Sequence, residues 1–193
     1  MPTPTRLTAG RLLTTMALAV ASTLAPAGCS SRQEVADRLS TQDRPPEDFA
    51  LALTVLTPAK QALRPDQLPR GQRPARYLMG ANGALAVSQG IGASTRDFPP
   101  VVRVLRDAQR QEIWAMIKDA GLLRSDAPGR QRGSETGGDA VDPFKFGVEN
   151  PDRPIALLAI QFGRERDYFR IGLPEEPKVE ALADRLAALA WIR

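Results

Sequence analysis

The stretch Ile155–Phe162, IALLAIQF, is eight residues long and carries a single polar side chain, Gln161. A run this short and this apolar reads as a strand at the centre of a sheet, covered on both sides. The turn at residues 163–166 returns the chain into DYFRIGL, residues 167–173, where Phe169, Ile171 and Leu173 alternate with Tyr168 and Arg170. Period-two alternation marks a half-buried strand, so the two segments form a hairpin. A helix is predicted from about Pro177, with Val179, Leu182, Ala183, Leu186, Leu189 and Ala190 as its apolar stripe. Pro177 suits a first helical position, and Glu175 and Glu176 lie near the positive end of the helix dipole.

Working back toward the N-terminus, Phe49, Leu51, Leu53 and Val55 alternate with Ala50, Ala52 and Thr54, which predicts another half-buried strand. In YLMGANGALAVSQ, residues 77–89, Asn82-Gly83 sits between apolar runs. A two-residue type I′ turn is expected there, joining strands near 76–81 and 84–89. Residues 107–121 read as a helix. Ile113, Trp114, Ile117 and Ala120 share one face, Asp107 suits the N-terminus, and Gly121-Leu122 has the form of a C-terminal cap. Trp114 and Trp191 both read as core residues. The order β-ββ-α-ββ-α predicts an α+β fold, a two-layer sandwich of about five antiparallel strands with two helices on one face.

Composition narrows the chemistry. The chain has 193 residues, no histidine and one cysteine. That leaves no histidine triad or histidine metal ligand, no intramolecular disulfide and no thiolate cluster. No cofactor and no metal are expected. Serine–lysine and paired-carboxylate chemistries stay open, so a histidine-independent envelope hydrolase is the alternative to a non-enzymatic reading. The 26 basic and 22 acidic residues give a net charge of +4. Without Arg6 and Arg11, in a segment expected to be removed, 24 basic residues face 22 acidic ones, or +2. So small an excess does not suit a nucleic-acid binder, which needs a concentrated basic face.

Arg6 and Arg11 precede an uncharged apolar run at residues 12–25, followed by the small residues Ala27 and Gly28. This is the order of a secretory signal peptide, and the run is shorter than the roughly 20 residues that span a bilayer. Ala27-Gly28-Cys29 resembles the lipobox of bacterial lipoproteins, although Pro26 stands where that family favours an aliphatic residue. The resemblance implies a diacylglyceryl group on the Cys29 sulfur, cleavage before Cys29, acylation (palmitate-type) of the new terminus, and a lipid anchor in the cell or outer membrane. The domain would then face the periplasm or exterior. Two or more acyl chains hold a protein on a membrane stably where one does not.

The expected organisation is a signal peptide over 1–28, a lipidated polar tether over 29–47, and a single α+β domain over 48–193. Val35 and Leu39 are spaced for one helical turn, so a short helix is the alternative within the tether. Residues 57–76 read as a long loop, the most basic of the chain, with Lys60, Arg64, Arg70, Arg73 and Arg76 as candidate contacts to an anionic membrane or polymer. Residues 124–153 read as a mobile loop. Its Glu135, Asp139 and Asp142 lack the order of an EF-hand and read as solvated acids. TPAK, residues 57–60, has the spacing of a hydroxyl–lysine dyad, but the polar surroundings oppose the burial that Lys60 would need. GIGAS, residues 90–94, lacks a third glycine and reads as a plain loop. No catalytic set emerges. The expectation is an anchored binding, adaptor or inhibitor module, with an envelope protein or anionic polymer as partner.

Overall fold

The computed structural model describes residues 38–96, 98–124, 126–131, 151–163 and 165–191. In β1, Ala50–Leu56, the side chains of Leu51, Leu53 and Val55 point to one face and are buried. The same alternation runs through β2, Ala75–Met79; in β3, Ala84–Gln89, the adjacent Leu85 and Ala86 are both buried. Beyond β1 lie β6, Ile155–Phe162, and β7, Glu165–Gly172. Register carries the pattern across the sheet, with Leu53 opposite Tyr77 on one side and Leu158 on the other, and Leu158 opposite Phe169.

Two short strands extend the edges. β4, Val101–Val104, pairs with β3 through a register shift at Leu85/Ala86, and β5, Arg130–Gln131, pairs with β7. Among the described residues the sheet therefore has seven strands, all antiparallel, in the order β4-β3-β2-β1-β6-β7-β5. The α+β class stands; the strand count and topology differ from the expected five. β4 and β5 are too short to show a hydrophobic period, so pattern reading passes over them.

Two helices cover one face. In α1, Asp107–Asp119, the buried residues are Ile113, Trp114 and Ile117. In α2, Pro177–Ala190, they are Val179, Leu182, Ala183, Leu186, Ala187 and Leu189. Both stripes share one core with Leu53, Leu158 and Phe169. The Trp114 and Phe49 rings meet edge-to-face at 5.1 Å, a geometry worth about 0.5–1.5 kcal/mol beyond burial alone. α1 closes with Gly121 at φ +68° and a bond from Leu122 N–H to Ile117 O of 3.2 Å. That is the cap expected from Gly121-Leu122.

The β2–β3 turn departs from expectation. Gly80 N–H donates to Ala84 O, which leaves Ala81, Asn82 and Gly83 as a three-residue loop. Gly83 N–H bonds Gly80 O, and Gly83 then takes φ +77°. Asn82 Oδ1 accepts from Ala84 N–H at 3.0 Å. A tight turn followed by a left-handed glycine is the usual three-residue solution, so Asn82-Gly83 marks the hairpin correctly but one residue longer.

The end of the expected tether is docked on the domain. Residues 38–41 close a helical turn, and Leu39 is buried in the core. Gln42 O accepts from Trp114 Nε1 at 3.1 Å and from Lys118 Nζ at 2.8 Å. The Leu39 side chain, read as one half of a helical pair, contributes apolar burial that a free polar leash would forgo. Residues 57–76 are likewise more ordered than a plain loop: they hold a helical turn at Ala59–Ala62 and two 3-10 turns, Pro65–Gln67 and Arg70–Gln72. Among the described residues no helix is long and apolar enough to cross a membrane.

Candidate functional site

The helices leave the other sheet face open. Its side chains are the alternates of the core set: Ala50, Ala52 and Thr54 on β1, Arg76 and Leu78 on β2, Leu157, Ala159 and Gln161 on β6, and Arg166 and Tyr168 on β7. The three alanines sit side by side on the two central strands, with Ala52 opposite Ala159. Small side chains there and larger ones on the flanking strands make a trough. Its volume is about 400 Å³. Leu78, Arg76 and Thr95 stand on one side, Arg166 and Tyr168 on the other.

Among the described residues the charge in this trough has one sign: Arg76 and Arg166 are its charged lining residues, and no described carboxylate lines it. Arg76 Nη1 donates to Thr54 Oγ1 at 3.2 Å, and Arg166 Nη2 donates to Gln161 Oε1 at 2.5 Å. Each guanidinium thus has a neutral oxygen acceptor among its partners at the trough wall. A guanidinium keeps its full charge and offers a planar fork of donors, which matches a carboxylate or phosphate. The floor is apolar. The arrangement suits an elongated ligand with apolar groups along it and an anionic group toward either wall.

The five basic residues singled out from residues 57–76 have different immediate partners. Lys60 and Arg64 are exposed and line a separate hollow of about 540 Å³ with Leu63 and Leu68. Arg70 faces Asp184 of α2 at 3.8 Å, and Arg73 Nε donates to Leu68 O at 3.2 Å. Arg76 alone reaches the trough. The segment turns at Ala59–Ala62, Pro65–Gln67 and Arg70–Gln72, and Arg70 and Arg73 both act on the Tyr77 phenol.

Thr57 Oγ1 donates to Gln72 O at 2.7 Å while Lys60 is exposed, so the hydroxyl and amine of TPAK serve no common site. GIGAS forms the β3–β4 turn, closed by Ala93 N–H to Gly90 O. Trp114 is a core residue, but Trp191 is 66% exposed, because α2 ends at Ala190 and extended backbone at Trp191 takes it off the helical stripe. Tyr168 and Arg170 do share the open face, and Tyr168 lines the trough. Cys29 lies outside the described residues, as do Glu135, Asp139 and Asp142. Among the described residues no three Asp, Glu, Cys or His side chains gather as a metal site. Tyr77 lies on the helix side; burial pushes its phenol up to about 12, against a hydrogen bond from Gln89 that lowers it.

Arg166 and the alanine row were not singled out from the sequence. The signal was present: the residues that alternate with the core positions of β1 are Ala50, Ala52 and Thr54, too small to serve as an ordinary solvated face. No protein-family model matches the chain, and no curated protein sequence matches it either.

Proposed function

We propose that the protein is a binding module tethered to a bacterial envelope membrane through lipid on Cys29. Its domain is a two-layer sandwich whose open sheet face takes an extended ligand bearing apolar groups and an anion, such as an acidic segment of an envelope protein. The observation that carries this reading is the trough itself: an alanine floor walled by Arg76 and Arg166, with no acid among its described lining residues. Apolar burial along the floor supplies affinity, and charge-assisted hydrogen bonds to the arginines supply orientation.

The tether fits this role. Nine peptide links separate Cys29 from Arg38, where the described chain begins. Fully extended they span at most about 30 Å, which keeps the domain close to lipid. The test is site-specific photo-crosslinking from position 168 in native envelopes. A discrete adduct that disappears in the Arg76→Gln/Arg166→Gln double variant is expected. An adduct indifferent to both arginines, or none at 168, contradicts the assignment.

A further inference from the structure

We propose that the β4 edge of the domain is a second membrane contact, one that docks onto anionic lipid. Large apolar side chains rarely stand clear of a soluble surface in groups, and a group of them marks a contact surface. Here Phe98 is 92% exposed, and Ile91, Val101, Val104 and Trp191 are each 61–66% exposed. Ile91 and Phe98 belong to the β3–β4 connection, and Val101 and Val104 to β4 itself. Arg103 Nη1 donates to Leu189 O at 2.7 Å, which ties the C-terminal end of α2 to β4 two residues before Trp191.

Charge selects the occupant. Residues 84–107 carry Arg96, Arg103 and Arg106 against Asp97 and Asp107, a net charge of +1. Apolar tips set among arginines are the composition that inserts at an anionic bilayer surface, with tryptophan at the headgroup level. A peptide strand added to β4 is the less suitable partner. β4 has four residues, and Pro99 and Pro100 before it supply no N–H donors for a longer ladder. The proposal rests on the Cys29 tether for the nearness of lipid and extends it, since an edge contact fixes how the domain is oriented on the leaflet.

The chain has two tryptophans, and Trp114 is sealed in the core, so Trp191 reports on the edge. The full chain is reconstituted into vesicles of phosphatidylcholine with and without phosphatidylglycerol, their acyl chains brominated to quench tryptophan. With phosphatidylglycerol, about a twofold loss of Trp191 emission is expected, absent in Trp191→Phe and largely reversed by Phe98→Asp. Unchanged Trp191 emission from vesicle-borne protein overturns the proposal. So does emission that responds only to soluble polyglutamate, which assigns the edge to an acidic peptide. The mass of the Cys29 peptide from the same preparation is read separately: a bare thiol there refutes the anchor and leaves the edge result standing.

Discussion

Arg130 Nη2 lies 3.3 Å from Asp167 Oδ2, and both side chains are almost wholly buried. The same nitrogen donates to Leu122 O at 3.2 Å, and the guanidinium stands over the Phe169 ring at 5.4 Å. Asp167 occupies a core-facing position of β7, opposite Ile160, where the alternation calls for an apolar residue. The pair therefore fastens the two-residue strand β5, and the segment after α1, to the sheet.

Removing one partner of such a pair strands a buried charge, which costs about 3–5 kcal/mol. We predict a loss of this size for Asp167→Ala in urea unfolding. The double variant Arg130→Met/Asp167→Leu should recover most of it, because an apolar pair needs no desolvation of charge. Equal losses in single and double variants would contradict the assignment.

The basic loop is held against α2 by close approach of backbone. A Cβ placed on Gly71 would lie 2.4 Å from Glu180 O and 2.9 Å from the Glu180 side chain. Gly71→Ala should thus push the Arg70–Gln72 turn off the helix, breaking the Gln72–Glu180 hydrogen bond of 3.0 Å and the Arg70–Asp184 approach. Overpacking of this kind costs about 1–3 kcal/mol. Faster amide exchange in residues 70–72 with little change in β6 is the expected local signature.

The trough is open to a filling substitution. Ala52→Phe places a ring above the alanine floor on a face that the helices do not touch, so the free energy of unfolding should change by no more than about 0.5 kcal/mol. Crosslinking from position 168 should nevertheless be lost. Retention of the adduct in a stably folded Ala52→Phe protein would show that the ligand sits elsewhere.

Tyr77 makes stability fall at alkaline pH. Its phenol is raised from 10.0 to about 12 by burial. The folded state therefore holds the proton more tightly than the unfolded chain, and this contribution is complete below pH 10. It is lost as pH rises toward 12, by on the order of 2–3 kcal/mol at 1.36 kcal/mol per pH unit. Tyr77→Phe has nothing to ionise there, so its unfolding free energy should decline less between pH 10 and 12 than that of the native chain.

Long elements declared themselves in the sequence because each buries one face. IALLAIQF, the alternation around Leu53 and the stripe from Val179 to Leu189 became strands and a helix as expected, but IALLAIQF is not covered on both sides: Leu157, Ala159 and Gln161 line the open trough. What escaped was short or depended on tertiary partners. β5 consists of Arg130 and Gln131, polar residues fixed in a strand by Asp167 far along the chain. Leu39 gave one apolar point in a polar segment, and nothing local shows that Trp114 and Lys118 would bind Gln42 beside it. The trough was half legible: Tyr168 and Arg170 stood out on the solvent face, whereas the pairing of Ala52 with Ala159 required the register of β1 with β6.

Anchoring of the binding domain depends most directly on the chemistry of one sulfur. Mass spectrometry of protein isolated from native membranes should find Cys29 as the N-terminal residue, with a thioether-linked diacylglyceryl group. A free Cys29 thiol, or a chain that still begins at Met1, would contradict it.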